Sequence, residues 1–554
     1  MARNSDPGMG SIAGPAALLA LALLAMALHF HLGALPPGSP AAAAVGPRPA
    51  RMAGASASTP WAAQVAALLG AAGLVCLSLV IRVRGQRLVA AGVLGRARAA
   101  RGRDLRALRR SPALRNSTEP RVRLGTHHRR SLWLPADEHL LVLGPTGSGK
   151  SSGLAIPALL EWPGPAVVTD PKGELVRATL AHRSSLGPAV IFAPLMEPTS
   201  RWNPLTSIVS SEDALRVANF LMGRAPDREP FWHDLARQLL HGLLVEGASL
   251  EVGPGALLEL LQIVPAEALA EEMRHPVARR LVQGALSGGD RTAMGVVATL
   301  VAQLGPYSTD QVAAATAESD FDPAGLADGS LRTLYCVVAP HDAPVLRGLV
   351  SALISRAWRS IFSQPPQPPA LFLLDEFTQL TNLPELPALA QLGRSQGVRL
   401  VLMAQDLGSI TATYGTEASG ALWSNCRTKI LLPGISELEL LDRASRLAGT
   451  TTLHRVSELA GSEPVSSHPL WHPDDVRRLK PHQALVFHGG DHPAVIAQRR
   501  WYEVARLKAL VGATVPDLVP SPAQGRPLRD RIDANPDWIA SADPLTWEPA
   551  DVEA

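Results

Sequence analysis

Apolar and polar positions change rhythm four times along the chain. Near the start, residues 11–28 (SIAGPAALLALALLAMAL) and 62–81 (AAQVAALLGAAGLVCLSLVI) are apolar runs without a charged side chain. A helix needs about 20 apolar residues to cross the hydrocarbon core of a bilayer, so the two runs predict membrane spans at about residues 11–32 and 62–83. Between residues 140 and 205, short apolar runs (LLVLG, PAVVTD, PAVIFAP) alternate with helical segments. That is the rhythm of a parallel sheet whose strands are joined by helices. From 212 to 310 the period becomes helical throughout, as in ALRVANFLMG, WHDLARQLLHGLLVEG, ALLELLQIV and VVATLVAQL. No run there reads as a strand. At LRTLYCVVA, from Leu331, the strands resume. These rhythms predict an α/β domain built from residues 131–211 and 311–505, with an all-α domain, 212–310, inserted into it.

Charge adds a direction. Net charge is +3, but residues 82–110 hold ten arginines and one aspartate, while residues 515–554 hold eight acids against three arginines. An arginine cluster is costly to translocate, so the flank after Ile81 is expected on the cytoplasmic side, with the loop of about residues 33–60 outside. Residues 1–85 thus read as a membrane anchor, 86–130 as a basic juxtamembrane segment and 506–554 as an acidic, proline-rich tail. Three readings of the basic segment stay open: a topology signal touching anionic lipid, a nucleic-acid contact, or a solvated helix face. The first apolar run has a rival reading as a cleaved signal peptide with Arg3 as its basic region. The tail is either a disordered terminus or a docking element. Hydrophobic residues at 46% exclude wholesale disorder, and three cysteines (Cys76, Cys336, Cys426) without metal-like spacing exclude a disulfide framework or zinc site.

The chemistry is carried by GPTGSGKSS, residues 144–152. It fits G-x-x-x-x-G-K-[ST], with a short apolar strand before it (His139–Leu143) and a helix after it (Ser151–Leu160), the context this motif requires. Gly144, Pro145, Thr146, Gly147, Ser148 and Gly149 would curl the backbone so that successive N–H groups face phosphate oxygens. The helix N-terminus that holds Lys150, Ser151 and Ser152 adds its dipole. Lys150 would reach the β- and γ-phosphates of ATP, and the Ser151 hydroxyl would ligate Mg2+. A second element is PALFLLDEF, from Pro369, where Asp375 and Glu376 follow a buried strand at its C-terminal tip, the place where open α/β sheets keep their chemistry. Asp375 would join the Mg2+ shell, and Glu376 would orient the attacking water. A third strand, Arg399–Ala404, ends in Gln405, a polar residue able to sense the γ-phosphate. Before it, residues 387–396 read as a helix stopped by Gly397, with Arg394 on its last turn. Arg394 is either a cation complementing that helix dipole or an arginine finger aimed at a neighbour's site.

Taken in order, these motifs resemble the type IV coupling proteins, the TraG/TraD-like ATPases that bring DNA or protein substrates to a type IV secretion channel. Further stretches carry the resemblance: VVTDPKGEL with Asp170, Lys172 and Glu174; RWNPL with Asn203 and Pro204; LGRSQGVRLVLMAQDLGSI; and NCRTKILL from Asn425. Coverage is roughly residues 10–505. The resemblance implies a RecA-like nucleotide-binding domain with an inserted all-α domain, preceded by two transmembrane helices. It implies a homo-hexamer in the bacterial inner membrane, multi-pass, with its soluble domains cytoplasmic. Arg394 would then be the arginine finger and Gln405 the sensor, while Asp170, Lys172, Glu174, Asn203 and Pro204 would be neighbours of the active site.

The function so implied is an ATP-driven, Mg2+-dependent DNA translocase that couples a relaxase complex to the channel, gripping DNA, single-stranded, without regard to sequence. Two rivals remain. An FtsK/HerA-type DNA pump shares the motor core but not the helical insertion or the DPKGE and NPL segments. A non-hydrolysing receptor for secreted proteins would need neither the cradle nor the carboxylates.

Overall fold

The computed structural model describes residues 95–109, 120–225, 230–454, 465–511 and 518–520. Its strands, in chain order, are β1 (Arg123–His127), β2 (Arg130–Trp133), β3 (Leu140–Leu143), β4 (Ala166–Asp170), β5 (Ala189–Phe192), β6 (Met196–Glu197), β7 (Thr333–Val337), β8 (Ala370–Leu374), β9 (Val398–Ala404), β10 (Thr428–Leu431), β11 (Thr450–His454), β12 (Val465–Pro469), β13 (Gln483–His488), β14 (Ala494–Ala497) and β15 (Val519–Pro520). Eleven of them form one sheet in the order β2-β1-β14-β13-β10-β3-β9-β8-β4-β7-β5. From β10 to β5 every neighbouring pair is parallel. From β10 to β2 every pair is antiparallel.

The central strands β3, β4, β7, β8 and β9 are buried along their whole length. A parallel sheet covered on both faces needs such strands, so they read as near-continuous apolar runs. Alternate residues serve alternate faces. Leu141, Leu143, Phe372, Leu400 and Leu402 join a core shared with the helices of residues 211–317. Leu140, Val142, Leu371, Leu373, Val401 and Met403 join a second core with the helices Ile156–Glu161 and Glu174–Leu186.

Between β6 and β7 the described residues form helices and no strand, from Ser211–Met222 and the 20-residue Pro230–Ser249 to Asp310–Ala317. Their apolar faces reach the sheet's own core, so helical region and sheet share one hydrophobic cluster. Ser210 caps the first of these helices through Asp213 N.

The basic segment departs from its expectation as a separate juxtamembrane stretch. Ala97 N donates to Thr450 O, Ala100 N to Pro493 O, and Trp133 N to Leu108 O. Ala100, Leu105 and Leu108 are buried, and β1 and β2 close one edge of the main sheet. The arginines mark the solvent side of a chain whose intervening apolar residues face the core. The tail departs too: Ala505–Leu510 is a helix with Leu507 buried, and β15 pairs with β6. Among the described residues no helix is long and apolar enough to cross a membrane. The two apolar segments at 11–32 and 62–83 lie outside the described residues.

Candidate nucleotide-binding site

β3 ends at Leu143 and the glycine-rich loop follows. Gly144 cannot carry a side chain, because a Cβ there would stand 2.6 Å from Leu432 Cβ. Gly149 holds φ at +100°, a conformation that side chains resist. The helix after the loop opens as a π-turn, Ser151–Ala155, before becoming α-helical. Such wide turns are frequent at functional sites.

The sheet order places the other parts. β9 lies between β3 and β8, so three strand tips stand side by side. Thr169 Oγ1, from β4, donates to the Asp375 carbonyl at 2.8 Å and fixes the tip of β8. Glu376 then takes φ = +48°, in the left-handed region. A residue other than glycine pays roughly 1–2 kcal/mol there, and such strain clusters at functional sites. The turn brings Glu376 Oε1 to 2.9 Å from Lys150 Nζ, with both side chains almost entirely buried. The same ammonium donates to Gly144 O at 2.6 Å. Ser151 Oγ lies 3.5 Å from Asp375 Oδ2.

These residues enclose a cavity of about 150 Å3, lined also by Pro145, Thr146, Gly147, Gly149, Ser152, Asp170, Pro171, Lys172, Glu174 and Arg500. Burial, with the Glu376 carboxylate adding to it and Lys150 opposing it, pushes Asp375 up to about 7. Burial likewise pushes Asp170 up to about 6, against hydrogen bonds accepted from Val176 N and Lys172 N. Asp170 therefore both faces the cavity and caps the helix Glu174–Leu186.

The residues fit a nucleotide with Mg2+. Three buried carboxyl groups line the cavity with one buried ammonium, and Glu376 Oε2 has no hydrogen-bond partner. Ser151 Oγ and Asp375 Oδ2 stand apart by little more than two adjacent ligands of one Mg2+, which are about 3 Å apart. Among the described residues no group of three or more His, Cys, Asp or Glu is placed to hold a metal alone. Mg2+ at a nucleotide needs only one or two carboxylates, because phosphate oxygens and water supply the rest.

Not every expected residue converges here. Gly144 and Ser148 complete the loop without lining the cavity, and the Ser148 hydroxyl is buried without a partner. Gln405 follows β9 directly, and its neighbour Ala404 accepts from Gly144 N at 3.2 Å, so Gln405 sits at the strand tips but outside the lining. Arg394 is elsewhere. Its helix stops at Leu392, and Arg394 pairs with Asp137 beside the N-terminal ends of β3 and β9. Asn203 and Pro204 are also not in the cavity. Asn203 accepts from Leu205 N and donates to Val252 O at 3.0 Å and Ala317 O at 3.3 Å, pinning the turn to a loop in the middle of the helical region and to its last helix. Arg500 was not foreseen: 348 residues separate it from Ser152, whose Oγ accepts from its Nη1 at 2.6 Å.

A parallel sheet with a phosphate cradle after β3, and paired carboxylates two strands away at the same edge, defines a P-loop α/β protein of RecA-like architecture. The chain belongs to the family described as Type IV secretory system Conjugative DNA transfer, whose sequence model matches residues 111–519. It is similar to the probable conjugal transfer protein TraG of Sinorhizobium fredii (strain NBRC 101917 / NGR234), with 25% identity over 415 residues, 68% of this chain and 64% of that protein. It is also similar to protein VirD4 of Agrobacterium fabrum (strain C58 / ATCC 33970), with 28% identity over 423 residues, 70% of this chain and 62% of that one. The matched region thus spans less than two thirds of either relative. In fold it is similar to the plasmid coupling protein TrwB in complex with ADP and Mg2+, at a TM-score of 0.54 and 22% identity over 67% of this chain and 87% of that one.

Proposed function

We propose that the protein is a membrane-bound, ATP-driven DNA translocase that couples a relaxase complex to a type IV secretion channel in conjugative transfer. The observation that carries this is the convergence of Lys150, Ser151, Asp375 and Glu376 on one cavity at the strand tips. Lys150 binds the β- and γ-phosphates of ATP, and Ser151 with Asp375 holds Mg2+, which neutralises charge on the transferring phosphoryl group. Glu376, released from Lys150 when phosphate arrives, orients the attacking water through its unpartnered oxygen. Gln405 reports the γ-phosphate to β9. In a homo-hexamer on the cytoplasmic face of the bacterial inner membrane, Arg394 of one subunit completes the site of the next. DNA, single-stranded, is held without regard to sequence by its backbone, which makes binding sensitive to salt. Membrane attachment comes from the two apolar segments. The family description, Type IV secretory system Conjugative DNA transfer, and the similar probable conjugal transfer protein TraG support the cargo and the channel.

The test is ATP hydrolysis by the full chain in lipid, with and without single-stranded DNA. DNA-stimulated turnover that disappears in Lys150→Ala is expected. Equal turnover in Lys150→Ala and the parent protein sinks the reading.

A further inference from the structure

Three cations line the cleft. Lys150 and Lys172 belong to the motifs; Arg500 does not. It arrives from beyond the last strand of the main sheet, since β14 ends at Ala497 and the following turn carries the guanidinium back over the loop. Its Nη1 donates to Ser152 Oγ at 2.6 Å and stands 2.9 Å from where a side chain on Gly149 would begin. Arg500 is half-buried, and among the described residues no carboxylate pairs with its guanidinium, although Asp170, Asp375 and Glu376 line the same cavity and the Glu503 carboxylate accepts from the Arg500 backbone N at 3.0 Å. The guanidinium has one side-chain partner, a neutral hydroxyl, so most of its N–H donors are left for other acceptors. It lies over the first turn of a helix, where backbone N–H groups already favour an anion.

We propose that Arg500 is a ligand of the nucleotide's phosphate chain, on the part that diphosphate and triphosphate share. The proposal rests on the cleft being a nucleoside triphosphate site. Lys150 turns toward Glu376 and Asp375 lies beside Ser151, so the terminal phosphate belongs at the carboxylate end. Arg500 bonds instead to Ser152 and covers Gly149. An arginine fork is suited to phosphate oxygens, and a contact made before and after cleavage tightens binding without lowering the barrier to the chemical step. Arg500 therefore acts on affinity, in contrast to a finger, which acts on turnover.

Its position in the chain gives the contact a second reader. Beyond Arg500 comes the helix Ala505–Leu510, anchored by buried Leu507. Further on, Leu518 Cδ1 lies 3.6 Å from the place of a Cβ on Gly173, next to cavity residues Lys172 and Glu174. Residues 501–511 thus follow directly from the cleft, and Arg500 links their exchange to nucleotide occupancy.

The experiment uses the full chain in lipid. Binding of Mg·ADP and of a non-hydrolysable Mg·ATP analogue is measured for the parent protein, Arg500→Gln, Arg500→Lys and Lys150→Ala. Hydrogen exchange of residues 498–511 is followed with and without Mg·ADP. Arg500→Gln is expected to weaken both nucleotides about tenfold or more, the loss of one charge-assisted contact. Arg500→Lys, which keeps the charge but not the fork, is expected to fall between, and it carries the test should Arg500→Gln unfold. Arg500→Gln is expected to raise KM for ATP by more than it lowers saturated turnover. Exchange in 498–511 slows with Mg·ADP in the parent protein and not in Arg500→Gln. Unchanged affinity in both Arg500 variants overturns the proposal, as does a loss confined to turnover. If the parent protein binds neither nucleotide, the underlying site is what fails. If it binds both, and Lys150→Ala alone loses them, only the role of Arg500 fails.

Discussion

Lys150 and Glu376 are locked in an ion pair of 2.9 Å at the bottom of the cleft, with 6% and 11% of their side chains exposed. The ammonium that should hold phosphate is thus held by the carboxylate that should direct water. A triphosphate must take Lys150 from Glu376, and doing so frees Glu376 for its own task. In the proposed mechanism, binding and activation would be coupled through one side chain.

Replacing Glu376 by glutamine separates the two. Glu376→Gln removes Lys150's competitor, so a non-hydrolysable ATP analogue is expected to bind at least as tightly as to the parent chain. Hydrolysis is expected to fall about 100-fold or more, the usual worth of a group that handles the proton of the attacking water. Calorimetry and a single-turnover phosphate assay check the pair. Weaker binding with normal turnover would reverse the assignment.

Asp375 and Asp170 make the cleft pH-sensitive. Burial lifts them to about 7 and about 6 in the folded protein, from an unfolded value of 3.8. Between those limits the folded chain holds protons that the unfolded chain has lost, so stability falls as pH rises through the window. The nucleotide-free protein is expected to melt progressively lower from pH 5 to pH 8, and Asp375→Asn to flatten that slope. A metal-nucleotide complex needs the ionised form, so binding at pH 6 releases protons and binding at pH 8.5 releases almost none. Titration in buffers of different ionisation enthalpy reads this directly. A slope of the same steepness in Asp375→Asn would refute it.

Arg183 sets the stability of the wall opposite. It is fully buried, and its guanidinium donates to Thr333 Oγ1 at 2.8 Å and to the carbonyls of Trp162 and Gly164, both at 2.5 Å. One side chain therefore ties helix Glu174–Leu186 to β7 and to the turn that enters β4. Arg183→Met keeps the volume but strands three acceptors, at a cost of about 3 kcal/mol. Arg183→Lys restores little, since an ammonium has no fork. Urea midpoints check both, and a loss under ~1 kcal/mol in Arg183→Met would contradict this account.

How much of this was legible in the chain follows from how local each feature is. The cradle and the strands β3, β4, β8 and β9 are contiguous: glycine spacing and all-apolar runs carry them. Asp375 and Glu376 were legible because strand polarity alone puts a strand's C-terminal tip beside the cradle. The edge was harder to read. β1 is RLGTH and β2 is RSLW, and they turn at His128 and Arg129, both with positive φ. Charge there, and a register irregularity between Arg123 and Gly125, hide an alternation of buried and half-buried positions. Arg500 could not be read at all, because no periodicity relates it to Ser152 and only the return of β14 along β13 and β1 brings the two together. Asn203 shows the opposite error. The family resemblance counts it among the neighbours of the active site, yet its amide is consumed by Leu205, Val252 and Ala317.

Arg394 is tested by mixing subunits. It pairs with Asp137 where β3 and β9 begin, whereas the cradle follows the end of β3, and four strand residues already span roughly 13 Å. Arg394 therefore cannot serve its own Lys150; in the proposed ring it must serve a neighbour's. Lys150→Ala and Arg394→Ala are each expected to lose hydrolysis when assembled alone. Assembled together they form interfaces in which an Arg394→Ala subunit keeps its cradle and a Lys150→Ala subunit lends its arginine, so turnover returns. Asp137→Asn checks the parked state. An exposed pair contributes at most ~1 kcal/mol, so melting should stay in place while the finger is freed and turnover holds or rises. Mixed assemblies as inactive as their parents, or an Arg394→Ala protein that hydrolyses ATP normally, would show that this arginine serves the fold of its own subunit and nothing beyond it.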